Sequence, residues 1–422
     1  MKGLAQLWGR SIIASIVFWE GMVMSLLRNR SLVAVSLGHF TIDLFNSMSP
    51  VLLAFFSVSL GLSNAQVGLA ASLYTLAASL FQPGFGWLAD RHGGRWFGTG
   101  GLLWTLGLLS LAVILGQSGM FLLLMIPFVL AAVGSAAYHP QGIMHATDVG
   151  EGRQASGAAI FFFFGQAGLA LGPALAGLIL GQVGPGGIPT LALIGVPVTL
   201  WLATTLRPDT PPNAPAGHQP TAIQAQTRLA VGVILALTGL IALRAWANFG
   251  ITTFLPKFYQ EKGWGPESYG LVASMLMIGS AVGGVFGGPA ADRWGRRLIV
   301  AGTLFTAILP LLFLPVADGA AVFVVAAFAG AMLGASHSII VVLAQTLLPG
   351  GKAMASGLTL GFMFASGAVG GIISGWMADR IGLTLTLQSV ALVALGAALC
   401  ALALPATRAA TSEAKAVMVP PA

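Results

Sequence analysis

Residues 86–95 read GWLADRHGGR, and residues 288–297 read GPAADRWGRR. In each stretch an Asp-Arg pair stands four residues after a glycine and runs on into glycine and arginine. The match is one point in a longer register. Ala155-Ser156-Gly157 returns as Ala355-Ser356-Gly357, and Asn46 returns as Asn248, each about two hundred residues on. The chain is an internal duplication, and its organisation is to be read in halves.

Composition sets the solvent of those halves. Of 422 residues, 56% are hydrophobic and 7% charged, with a mean hydropathy of +0.89. A soluble domain has about a quarter of its residues charged. A chain so poor in charge cannot cover a water-facing surface, so most of its surface faces lipid. Backbone polar groups in hydrocarbon must be satisfied internally, which leaves helices or closed barrels. The apolar runs continue for about 20 residues without period-two alternation, so helices are expected. Twelve runs are read at 31–60, 64–88, 97–117, 119–147, 155–182 and 188–206, then 229–260, 267–290, 298–317, 319–348, 354–378 and 383–404. The expected fold is all-α, with twelve transmembrane helices in two pseudo-symmetric six-helix bundles at 31–206 and 229–404. Between them, residues 207–228, rich in Pro, Ala and polar side chains, read as a cytoplasmic linker. Residues 405–422 read as a cytoplasmic tail.

The basic residues orient the array. With both termini on the cytoplasmic side, fifteen Lys and Arg fall inside: Lys2, Arg10, Arg28, Arg30, Arg91, Arg95, Arg153, Arg207, Arg228, Arg293, Arg296, Arg297, Lys352, Arg408 and Lys415. Only Lys257, Lys262 and Arg380 fall outside. This bias accounts for the net charge of +7 without a nucleic-acid partner. The single cysteine, Cys400, lies in an apolar run and excludes a disulfide framework or a thiol metal site. Residues 1–30 are a lead-in, read either as an interfacial helix or as upstream of a true start at Met22 or Met24. A signal peptide fits less well, because Glu20 interrupts its apolar core and no small-residue cleavage site is evident.

An ionisable side chain at bilayer depth costs about 2.5–3.5 kcal/mol on insertion scales, so each one needs a partner, a wet cavity or a purpose. Two formal charges lie deep within spans: Asp43 in the first and Arg244 in the seventh, which are equivalent in the repeat. His39, Asp43 and Asn46 are spaced i, i+4, i+7 on one helical face. They read as a proton- and substrate-binding face, or as a polar cluster that holds helices together. Arg244 and Asn248, with Trp246 between them, suit bidentate capture of a carboxylate or phosphonate. The alternative is an ion pair between Arg244 and Asp43 that closes one end of a cavity. His139 precedes Pro140, which removes a helical hydrogen bond. It either satisfies that local break or acts as a second titratable group. Tyr138, Gln166 and His337 are further candidates for substrate contact; for Gln166 the plainer reading is a bond across to the first or eighth helix. Asp90, Arg91 and Arg95, and in the second half Asp292, Arg293, Arg296 and Arg297, are expected to form a charge network gating the cytoplasmic end. Phe161 to Phe164 read as packing surface.

On the paired loops, with Gly86, Asp90, Arg91, Gly94 and Arg95 matched by Asp292, Arg293, Gly295, Arg296 and Arg297, the chain resembles the major facilitator superfamily. Gly172-Pro173 looks like the motif of that superfamily's antiporters. The H-x-x-x-D spacing of His39 and Asp43, the Tyr138-His139-Pro140 run and the stretch GQAGLALGP at 165–173 are similar to the fosmidomycin-resistance efflux family. Ile42 and Gln166 depart from that pattern where a substrate would be read.

The resemblance implies alternating access in a bacterial inner membrane, export, and drug resistance. The expected activity is proton-coupled antiport of a small polar or anionic organic compound, with protons at Asp43, His39 and His139. The alternative is a symporter or facilitator importing an organic anion on Arg244. The expected partners are a small-molecule substrate, protons and the lipid bilayer, with no cofactor and no nucleic acid, and the chain is expected to act as a monomer. Neither H-E-x-x-H nor G-x-S-x-G is present, so an enzyme is not expected.

Overall fold

The computed structural model describes residues 26–92, 95–149, 153–206, 231–348 and 352–405. The predicted linker, most of the lead-in and all but one residue of the tail lie outside the described residues. In chain order the helices are α1 (Arg30–Ser59), α2 (Asn64–Leu80), α3 (Gln82–His92), α4 (Arg95–Gly116), α5 (Phe121–Thr147), α6 (Gln154–Gln182) and α7 (Gly187–Thr205). The second half holds α8 (Val231–Glu261), α9 (Pro266–Trp294), α10 (Arg296–Phe313), α11 (Ala321–Leu347) and α12 (Lys352–Leu402). No strand occurs among the described residues.

Among the described residues, ten helices are each long and apolar enough to cross a membrane. The remaining two of the twelve expected spans differ for local reasons. The second span breaks at Phe81 into α2 and α3. Pro83 lacks an N–H, and its ring would crowd the carbonyl four residues back, so a continuous helix is costly there. The last two spans form α12, which turns at Gly382 with φ 79° and ψ 158°. Only a residue without Cβ holds that conformation cheaply.

Helix starts follow ordinary capping. The Asn29 side chain accepts from the Leu32 N–H at 3.1 Å, and Ser63 with Gln66 forms a capping box at α2. Within the halves, seams use small residues, as expected where lipid supplies no hydrophobic drive between helices. Gly101 faces the Gly134 carbonyl across α4 and α5, and Gly330 and Gly334 face the Leu276 and Ser280 carbonyls across α11 and α9.

The halves meet chiefly through α6 with α9, α2 with α12, and α1 with α8. Cross-half hydrogen bonds cluster toward the arginine-poor end. The Ala174 N–H donates to Ser274 Oγ at 2.8 Å, and Gln182 Nε2 donates to Glu267 Oε1 at 2.9 Å. Ser72 Oγ donates to the Ala368 carbonyl at 2.7 Å, and Asp379 accepts from the first turn of α2. Among the described residues, α5 and α11 form no packed seam, so the halves stand apart along the line between these two helices.

Candidate functional site

Three side chains from two helices converge on one carboxylate. Asp43 on α1 is 7% exposed, and its two oxygens have different imidazole partners. Oδ2 lies 3.1 Å from His39 Nε2, one turn earlier on α1, and Oδ1 lies 3.3 Å from His139 Nε2 on α5. Each ring is fixed from behind. His39 Nδ1 is 2.8 Å from the Phe161 carbonyl, and His139 Nδ1 is 2.8 Å from the Ser135 carbonyl. A carbonyl only accepts, so both Nδ1 atoms carry protons and both Nε2 atoms turn to the carboxylate. His39 is also stacked on Phe161 at a centroid separation of 3.8 Å, and Gly165 leaves room for the ring. His139 reaches the charged centre, and the carbonyl its Nδ1 holds is that of Ser135, not the Ala136 carbonyl that Pro140 leaves without its helical donor.

Asn46 completes the face. Its Nδ2 donates to Asp43 Oδ1 at 3.3 Å and to Ser135 Oγ at 2.9 Å, while Tyr74 donates to its Oδ1 at 2.6 Å. Neither Tyr74 nor Ser135 is among the candidates that charge cost and helical spacing single out. Ser135, one turn before His139, was in principle legible; Tyr74 on α2 carried no local signal.

The second half carries a buried charge of the opposite sign. Arg244 on α8 is 3% exposed, and no ion pair joins it to a carboxylate among the described residues. Its Nε donates to Ser336 Oγ at 3.3 Å and Nη2 to the Leu333 carbonyl at 3.0 Å. Nη1 lies 3.0 Å from His337 Nδ1 and 3.7 Å from Met363 Sδ. The alternative reading of Arg244, an ion pair with Asp43, is not seen in this arrangement. Each charge is satisfied by polar groups of its own half, which hold them apart across the gap.

The other expected contacts divide. His337 is exposed, Asn248 is half-buried with its side chain free of hydrogen bonds among the described residues, and Gln166 is exposed. Trp246 Nε1 is engaged at 2.9 Å by Ser374 Oγ. Tyr138 is fully buried, lies across Gly38 and donates to the Val35 carbonyl. It clamps α5 to α1, and in this arrangement a solute does not reach it.

The expected gating network is not seen as ion pairs among the described residues. The Arg91 guanidinium lies 4.0 Å from the Trp87 ring centre and that of Arg293 5.2 Å from Trp294, contacts of the cation–π kind. Arg95 donates to the Ala203 carbonyl. Asp292 is exposed, and neither it nor Arg293, Arg296 or Arg297 has an ion pair there. Arg91, Arg293 and Arg95 thus rest on aromatic and backbone groups of their own half. The side chain of Asp90 and the whole of Gly94 lie outside the described residues.

Twelve spans in two like halves, with a titratable cluster on one side of the gap and a guanidinium on the other, define a multi-pass membrane transporter, not an enzyme. The chain belongs to the major facilitator superfamily, whose family model matches residues 35–265 and 237–419. It is 28% identical over 367 residues to the fosmidomycin resistance protein of Escherichia coli (strain K12), covering 86% of this chain and 89% of that protein. It is equally 28% identical over 372 residues to the uncharacterized MFS-type transporter YfnC of Bacillus subtilis (strain 168), covering 85% and 89%. Among solved structures, a D-xylose-proton symporter matches with TM-score 0.72 at 15% identity, covering 91% of this chain and 99% of that one. A bacterial homologue of the human lysosomal transporter Spinster, inward-facing and unoccupied, matches with TM-score 0.69 at 17% identity, covering 89% and 96%. These structural likenesses bear on the fold.

Proposed function

We propose that the protein is a proton-coupled antiporter of the bacterial inner membrane, exporting a small polar or anionic organic compound or drug by alternating access. The observation that carries the reading is the Asp43 carboxylate held between two imidazole Nε2 atoms whose Nδ1 protons are already committed. With no further proton, two lone pairs face a carboxylate, which is repulsive. One added proton makes one of those contacts a charge-assisted hydrogen bond, and a second makes both. The cluster thus gains protons where polar contact with the gap persists, since the His139 side chain is 25% exposed.

Direction follows from three supports. Both termini are assigned to the cytoplasm on the fifteen-to-three bias of basic residues. The seams that join the halves cluster at the opposite, outer end, which supports access from the cytoplasm, where an exporter loads. The likeness to a fosmidomycin resistance protein adds efflux as the expected outcome. Protons arriving from outside at Asp43 would favour release of the solute, and their loss to the cytoplasm would reset the cycle.

Vesicles with an imposed pH gradient test this against a panel of phosphonates, carboxylates and cationic drugs. Proton influx should drive at least one solute out of the cytoplasmic compartment against its gradient, and the solute should move protons in the opposite direction. Solute and proton moving the same way would instead identify a symporter.

A further inference from the structure

The geometry points to His337, not Arg244, as the donor that meets an anionic solute, with Arg244 fixing the tautomer of His337 and placing a positive charge behind it. This deepens the transporter reading and rests on it, naming the solute class as an oxyanion, a carboxylate or phosphonate.

The argument begins with what Arg244 lacks. A buried guanidinium is normally compensated by a carboxylate, and here the surrounding groups are a hydroxyl, a carbonyl, a thioether and an imidazole. Its positive charge is solvated but not neutralised. Yet Arg244 as a whole residue is only 3% exposed and its guanidinium is taken up by groups of its own half, so it offers a solute little surface. His337 is exposed, and its Nδ1 lies 3.0 Å from Arg244 Nη1. A guanidinium nitrogen only donates, so Nδ1 must accept, and the ring's own proton is on Nε2. An imidazolium would set N–H against N–H at that contact, so the ring stays neutral while the contact holds. His337 therefore presents a neutral N–H donor polarised by the charge behind it. Asn248, one turn after Arg244 on α8, is half-buried with its side-chain amide unengaged among the described residues, and it supplies a second donor.

An oxyanion suits this arrangement better than a neutral or cationic solute. It accepts from both donors, and it supplies the counter-charge that Arg244 lacks.

Binding of phenylphosphonate and benzoate to the full-length protein in nanodiscs, with benzamide as the neutral counterpart, tests the assignment. The wild type should favour the two anions. His337→Phe should weaken them about tenfold or more while changing benzamide little, the loss expected for one charge-assisted hydrogen bond. His337→Gln should recover most of the affinity, because its oxygen can accept from Arg244 while its amide donates to the solute. Arg244→Gln should abolish the preference for anions. Unchanged anion binding in His337→Phe, with loss in Arg244→Gln, would overturn the assignment in favour of direct guanidinium contact. No preference for the anions in the wild type would overturn it as well, and would leave proton-driven export standing on its own vesicle test. Anion binding as described, together with proton-independent transport, would instead sink the antiporter reading alone.

Discussion

The Asp379 carboxylate sits on the first turn of α2, with Oδ1 2.7 Å from the Asn64 backbone nitrogen and Oδ2 2.9 Å from that of Ala65. The two residues come from different halves. A carboxylate from α12 thus performs for α2 what a cap normally does from within the same chain segment, satisfying N–H groups that no helical carbonyl reaches. It ties the halves together at the arginine-poor end, and opening that end means breaking both bonds.

Asp379→Ala should therefore shift the population toward opening at that end. A cap of this kind contributes about 0.5–2 kcal/mol, a change of roughly 2- to 30-fold in the ratio of states. Spin labels at Ser59 and Thr384, with Cys400 replaced by Ala, would report it as a longer distance distribution. An unchanged distribution would show that the small-residue seams alone hold the end shut.

Asp43→Asn should abolish accumulation driven by a pH gradient while leaving solute exchange intact. An amide of the same shape keeps the packing of the cluster and removes the carboxylate that both imidazole Nε2 atoms face. Uphill transport with an unaltered pH profile would locate the proton site elsewhere.

His39→Ala should shift the pH profile of transport more than it lowers the maximal rate. It removes one of the two imidazoles on Asp43 and leaves His139, which is the one with the larger exposure of the pair at 25% against 5%. Transport rates across a pH series separate the two effects.

Tyr74→Phe removes a single hydroxyl that donates to Asn46 Oδ1 at 2.6 Å. The cost should be about 1 kcal/mol in stability, because one neutral hydrogen bond is lost and the ring remains. The Asn46 amide is then free to rotate off Asp43, so the pH profile should move in the same direction as with Asn46→Ala, by a smaller amount. A melting curve and a pH series on the same preparation check both statements.

Gly38→Ala should lower stability by about 1–3 kcal/mol without a selective effect on any solute, because a methyl group there collides with the Tyr138 ring. Gly38→Ala combined with Tyr138→Leu should recover much of that loss. Solute-dependent effects of either variant would return Tyr138 to the binding surface.

Much of this protein is written in its residue pattern. The scarcity of charge required lipid as solvent, and the apolar runs required helices, because no other open structure satisfies backbone groups in hydrocarbon. The cost of a buried charge was enough to single out Asp43 and Arg244, and helical spacing placed His39 and Asn46 on the face of Asp43. Partnership was decided elsewhere. Opposite charge and repeat equivalence suggested that Asp43 and Arg244 pair, yet each is satisfied within its own half, Asp43 by His39 and His139 and Arg244 by Ser336, His337 and the Leu333 carbonyl. Tyr74 meeting Asn46, Tyr138 filling the space over Gly38 and Asp379 capping α2 likewise depend on which helix faces lie together. Spacing along a chain states which side chains share one helix face, because helical geometry is local. Which two faces meet is set by the packing of whole helices, where small residues permit close approach and bulky ones forbid it, and only the tertiary structure resolves that competition.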